Sequence, residues 1–294
     1  MQLDQTAIVI RERAFPEILD LALRVTRMLF LPLLGTLALG VAPLMLLNWW
    51  LVGWMAELEM RETFPLRYEW CMALLVYLEA PLASVFASVW IGEAMFQQRP
   101  GWRGVLRSVA AAWRSLLVCH VLLRGIGLAW LCLALLPAYS ELSPIDLLLL
   151  PMLALYALVF RTLRPFINEI VLLEKNPLIA TAEKPMSVRR RSDALHGPSI
   201  AELLIQACLG LLVGLLLTAA VVIGSSYLVV MLFNTETSSP LITLVVYPLA
   251  LWAVAGFFTV VRFLSYLDLR IRREGWEVEL LIRAEARRLA ESPL

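Results

Sequence analysis

The chain has 294 residues, of which 61 % are hydrophobic and only 17 % charged, with a formal net charge of +1. Roughly 45–50 % apolar residues is usual for a soluble domain, so an ordinary soluble protein is excluded. No connection between the apolar stretches is long enough for a second folded domain. The near-neutral charge gives no reason to expect a nucleic-acid partner.

In chain order, residues 1–27 open with a candidate amphipathic helix from Phe15, with Pro16 in the first turn, where its missing N–H costs nothing. Glu17, Asp20, Arg24 and Arg27 form a polar stripe, and Ile18, Leu21, Ala22 and Val25 an apolar one. Such a helix suits the head-group boundary. Six apolar stretches follow, at about 28–55, 70–96, 115–139, 145–160, 200–233 and 241–266. A bilayer crossing needs about 20 apolar residues. The fold class is therefore an all-α, polytopic transmembrane bundle with amphipathic ends. The first apolar run starts late and is too long for a cleavable signal peptide, which suggests a signal anchor.

The charges are one-sided. Twenty-two of the 25 Lys and Arg fall in residues 1–27, the connection near 99–114, the loop 161–199 and the tail from Arg262. Arg61 and Arg67 lie on the other side, and Arg124 lies inside a stretch. The positive-inside rule then places both termini in the cytoplasm. Trp49, Trp50, Trp54, Tyr68 and Trp70 mark the outer boundary, where aromatic rings favour the interface. Cys71, Cys119, Cys132 and Cys208 show no metal-site or disulfide spacing and read as apolar fillers.

Glu79 and Arg124 are charged residues within apolar stretches, which is costly unless they are paired or hydrated. The expectation is a Glu79–Arg124 ion pair near mid-membrane. Pro81 frees the Tyr77 carbonyl beside it and can kink the helix. His120, one turn before Arg124, and Glu93 could extend this pair into a polar track. Gly210 and Gly214 allow close helix approach, and Gly224, Ser225 and Ser226 suggest an unwound end.

In the loop 161–199, residues 166–178 read as an interfacial helix continuing the fourth stretch. Arg189, Arg190 and Arg191 are candidate contacts for anionic lipid head groups. Ser199 and Glu202 look like an N-cap and acidic first turn. The tail 267–294 reads as a charged helix with Arg270–Glu274, Arg273–Glu277 and Glu279–Arg283 pairs, weakened at Gly275. It could hold a membrane-protein partner.

No HExxH, GxSxG or GxxxxGK[ST] motif is present, and two histidines, His120 and His196, offer no metal cluster. No cofactor, metal or catalytic residue is expected. A lipid-directed enzyme would need polar residues converging at the cytoplasmic interface, with Asn168, Glu169 and Arg164 as the candidates.

Three segments carry a family resemblance. The opening RERAFPEILDLALRVTRMLFLPLL, with Arg13, Phe15, Glu17, Ile18, Leu19, Asp20, Arg24, Arg27 and Phe30, is one. The others are FINEIVLLEKNPL and YLDLRIRREGWEVELL. Together they resemble bacterial multi-span proteins of the glycerophosphoryl diester phosphodiesterase membrane-domain group. The resemblance implies an all-helical protein of the bacterial inner membrane, an accessory or scaffold to other membrane proteins. It lends no catalytic residue, because these segments carry none of the phosphodiesterase domain. A small transporter using Glu79, Arg124 and His120 is the competing expectation.

Overall fold

The computed structural model describes residues 11–60, 65–95, 100–136, 144–181, 185–234 and 240–275, and every regular element among them is helical. Helix α1, Phe15–Met28, begins with Pro16 in its first turn and buries Ile18, Ala22 and Val25, spaced four and three apart. These residues pack on Val260, Phe263 and Leu264 of α11, Tyr247–Glu274. The apolar stripe expected at the leaflet boundary is thus used inside the protein. Asp20 and Arg24 pair on the exposed face, 2.9 Å apart.

Helix α2, Phe30–Glu59, makes the first passage. The second is broken: α3, Leu66–Ala83, and α4, Val85–Met95, meet at Ser84 with a bend of 44°. Gly40 of α2 lies so close that a β-carbon there would overlap the Ala83 carbonyl. Helices α7, Pro144–Leu163, and α10, Ile200–Phe233, make two further passages, and the π-helical turn Ile242–Val246 leads into α11. Among the described residues, five helical stretches are long and apolar enough to cross a membrane: Phe30–Glu59, Trp102–Leu123, Asp146–Leu163, Val188–Phe233 and Ile242–Glu274. There are six when the bent pair counts as one passage.

The third apolar stretch is not one continuous helix. Helix α5, Trp102–Leu116, begins well before it, with Arg103, Arg107 and Arg114 exposed and Val105 and Leu116 buried. A π-helical turn, Leu117–Leu123, follows, and the chain breaks at Gly125 before α6, Ile126–Ala134. Gly125 has φ 74°, a left-handed conformation that is costly for other residues, and a β-carbon would lie 2.5 Å from the Tyr156 ring.

The loop after α7 differs from expectation too. Pro165 follows the end of α7, and α8, Ile167–Leu172, is a short helix with all six residues buried. It packs against α4, α5 and α9, Val188–His196, instead of lying at an interface. Helix α9 takes its N-cap from Ser187, which accepts from Arg190 N, 3.4 Å away. Ser199 does not cap α10; its hydroxyl accepts from Arg273, 2.6 Å away.

Helix α10 meets the bundle along a narrow line and buries only Leu203. Gly210 and Gly214 face Phe258 of α11, so this small-residue pair serves packing within the chain. Gly224–Ser226 stays helical, with the Ser225 hydroxyl donating back to Val221 O, 2.5 Å away. Helix α11 ends at Gly275, φ 64°. Arg270 pairs with Glu274, 2.6 Å away, and the remaining tail pairs lie outside the described residues.

Candidate functional site

Glu79 and Arg124 do not pair. One Glu79 carboxylate oxygen accepts from Asn48 Nδ2, 2.7 Å away, and the other from Trp130 Nε1, 2.6 Å away. The charge that sequence assigned to a salt bridge is met by two neutral N–H donors from α2 and α6. Arg124 instead donates through Nη2 to the Arg164 carbonyl, 2.5 Å away, just past the end of α7. This contact sets Arg124 level with the basic end of α7.

The buried ion pair lies elsewhere. Arg67 and Asp146, both fully buried, pair 3.2 Å apart and tie the start of α3 to the start of α7. Trp54 stacks on the same guanidinium, its ring centre 5.5 Å from the charge. Sequence places Arg67 only on the side opposite most of the basic residues. Both residues fall at the edges of apolar stretches, where charges are usual, so nothing in the pattern singled them out.

The densest polar cluster surrounds the α3–α4 bend. Pro81 lacks an N–H, which strands the Tyr77 carbonyl four residues back. Arg161 of α7 donates Nη1 to that carbonyl and stacks over the Tyr77 ring at 4.1 Å. The Pro81 carbonyl, at the bend itself, accepts from Asn168 Nδ2, 2.5 Å away, and from the Ser84 hydroxyl, 3.0 Å away. A carbonyl can only accept, so the Asn168 amide nitrogen must face Pro81 and its oxygen must face His120. His120 therefore donates from Nε2 to Asn168 Oδ1, 2.5 Å away. Arg262 of α11 completes the cluster. Its Nε meets buried Glu169 at 3.0 Å, and its Nη2 donates to Ser84 and Ser88 at 3.1 and 3.0 Å. Broken helices persist at membrane depth only where neighbouring groups satisfy the freed backbone in this way.

The candidate polar track is consequently divided. His120 belongs to the bend cluster and Glu79 to a separate group with Asn48 and Trp130. Glu93 is half-buried on α4 and feels Lys175. A narrow cleft with room for about one water lies against the bend, lined by Tyr77, Leu78, Pro81, Arg124, Ala157, Phe160 and Arg161. Neither Glu79, His120 nor Glu93 lines it. Asn168 and Glu169 are fully enclosed, whereas Arg164 is half-buried and pairs with Asp193 at 2.9 Å, so the three do not converge at an interface.

The basic end of the bundle is knitted by charge. Arg191 grips Glu174 through two bonds of 2.6 and 2.8 Å and also bonds Glu274. Tyr266 donates to Glu174 at 2.7 Å, and Arg272 pairs with Glu202 at 2.5 Å. The Arg13 backbone N–H donates to Asp268, 2.8 Å away. Of the candidate lipid-contact arginines, Arg189 and Arg190 are exposed, while Arg191 is committed to these carboxylates.

Sequence reasoning identified the freed Tyr77 carbonyl but not what would satisfy it. That partner is Arg161; the visible signal for the rest of the cluster is Arg262, a lone arginine inside FFTVVRFLSY that sequence groups with the charged tail. Fold and cluster together define an all-α membrane protein with a hydrogen-bonded break in its second passage. No family model, curated protein or solved structure matches the chain.

Proposed function

We propose that this is an integral protein of the bacterial cytoplasmic membrane, with both termini in the cytoplasm, acting as an accessory or scaffold for other membrane components. The observation that carries this reading is α10, a 34-residue helix with Leu203 its only buried residue. Large side chains such as Leu212, Leu216, Tyr227 and Met231 stand exposed along it. An exposed apolar surface of this size suits contact with lipid or another membrane helix. The polar groups inside the passages support the same reading, since they are used to hold helices together.

The competing reading, a small transporter using Glu79, Arg124 and His120, needs those groups to share a wet cavity. They sit in separate hydrogen-bonded groups, and the cleft takes in Arg124 alone of the three. The test is a photo-crosslinking residue at Leu212, Leu216 or Tyr227 in native membranes, with a pulldown of the tagged chain in parallel. The expected result is one discrete protein adduct from α10 that the pulldown also recovers. Lipid adducts alone, with no specific protein recovered, would contradict the scaffold reading.

A further inference from the structure

Helix α5, Trp102–Leu116, carries three different stripes along its length. Val105 and Leu116 are buried, with Val109 half-buried between them, in a cluster with Ile170 of α8 and Val89 of α4. Further round the helix, Trp102, Leu106, Trp113 and Leu117 recur at helical spacing and stand 43–53 % exposed. Arg103, Arg107 and Arg114 form the next stripe, and all three are exposed. Helix α5 holds no Asp or Glu, and among the described residues none of these arginines pairs with a carboxylate. Arg114 stands over the Trp113 ring, 5.7 Å from its centre.

The two ends of this stretch fix how it lies. Trp102 packs on Trp90 of α4, ring centres 5.0 Å apart, and against Gly35 of α2. Gly35 follows Phe30, at the basic end of α2, and Trp90 precedes Met95, at the basic end of α4, by about 7.5 Å of helix rise each. At the far end, the π-helical turn leads to Arg124, which reaches the Arg164 carbonyl just past the basic end of α7. An upright helix over Trp102–Leu123, 22 residues, would hold its ends about 33 Å apart in depth. Both ends instead meet the same side of the bundle, so α5 is apolar enough to cross but does not. The chain turns at Gly125, and α6 heads for the opposite end, where Leu133 clusters with Met55 and Tyr68.

We propose that α5 lies flat in the leaflet at the basic end of the bundle and binds anionic phospholipid there. Trp102, Leu106, Trp113 and Leu117 enter the acyl chains, and Arg103, Arg107 and Arg114 meet the head-group phosphates. An apolar stripe flanked by a basic one is the pattern of a helix at that boundary. Tryptophan favours the same depth, with its ring in apolar surroundings and its N–H wet. Three arginines with no carboxylate of their own complement a negative surface, and their forks match phosphate oxygens. The surface is separate from Arg189 and Arg190 and does not depend on the scaffold reading.

The test uses the full chain in phosphatidylcholine vesicles, without its four native cysteines and with Leu106→Cys carrying a nitrobenzoxadiazole dye. Lipids brominated on the acyl chain are added as phosphatidylcholine or phosphatidylglycerol, and quenching of the dye is read. Both lipids should quench, with phosphatidylglycerol enriched at the dye by about fivefold or more, the scale of one basic residue near an anionic surface. Arg103→Gln, Arg107→Gln and Arg114→Gln together should abolish the enrichment while brominated phosphatidylcholine still quenches. Salt at about 1 M, which screens exposed charges, should weaken the enrichment when the arginines are intact. That arm decides if the triple variant fails to fold. No quenching by either lipid, no enrichment, or an enrichment untouched by salt or by the folded triple variant would overturn the proposal.

Discussion

One proline accounts for much of the polar chemistry inside this molecule. Pro81 strands a carbonyl at Tyr77 and its own carbonyl sits at the bend, and side chains from α7 and α8 satisfy them. Asn168 is the most exposed to substitution, because it bridges Pro81 and His120 while fully enclosed. Asn168→Leu leaves the buried His120 donor unmet and the Pro81 carbonyl with Ser84 alone, at about 1–3 kcal/mol for the orphaned donor. Asn168→Asp places an oxygen against the Pro81 carbonyl and should be at least as harmful. Both variants should lower the thermal midpoint of the purified protein, and an unchanged midpoint would contradict the assigned role. A double-mutant cycle separates the expected ion pair from the one the structure contains. Glu79 and Arg124 share no partner, so Glu79→Gln and Arg124→Gln should add to within about 0.5 kcal/mol. Removing one partner of the enclosed Arg67–Asp146 pair should cost about 3–5 kcal/mol, with strong coupling between the two sites.

The helices divide into those legible in sequence and those set by distant contacts. Helix α1, Phe15–Met28, and α10, Ile200–Phe233, follow from apolar periodicity and length, and the kink at Pro81 follows from proline chemistry. Helix α8 is legible as a helix, but its burial is not, because INEIVL holds two polar residues whose partners, Pro81, His120 and Arg262, lie far away in sequence. The break between the π-helical turn and α6 depends on Gly125, one glycine among several in apolar sequence. Two glycine substitutions test how these elements meet. Gly40→Ala must push α2 away from the Ala83 carbonyl and should destabilise the protein measurably. Gly104→Ala, in α5 with open space around it, should be neutral or stabilising by about 0.5–1 kcal/mol, as for glycine in a helix interior. Thermal unfolding of the two variants side by side reads the contrast, and equal effects would show that the α2–α3 contact is looser than described.

Across the whole molecule, the segments holding most of the Lys and Arg come together at one end. Helix α1 packs on α11, Arg13 reaches Asp268, and Arg191 joins the α8–α9 connection to the end of α11. The opposite end is tied by Arg67 and Asp146. The one-sided charge of the sequence thus becomes a network of ion pairs as well as an orientation signal. Arg191 and Arg272 leave the free surface to make it, and Arg189 and Arg190 remain on it. The most direct test is membrane-impermeant thiol labelling of intact cells, using single-cysteine chains that carry either Ser140→Cys or Arg189→Cys and lack the four native cysteines. The account predicts labelling at 140 from outside, and at 189 only after the membrane is opened. Labelling of both positions from the same side would contradict it.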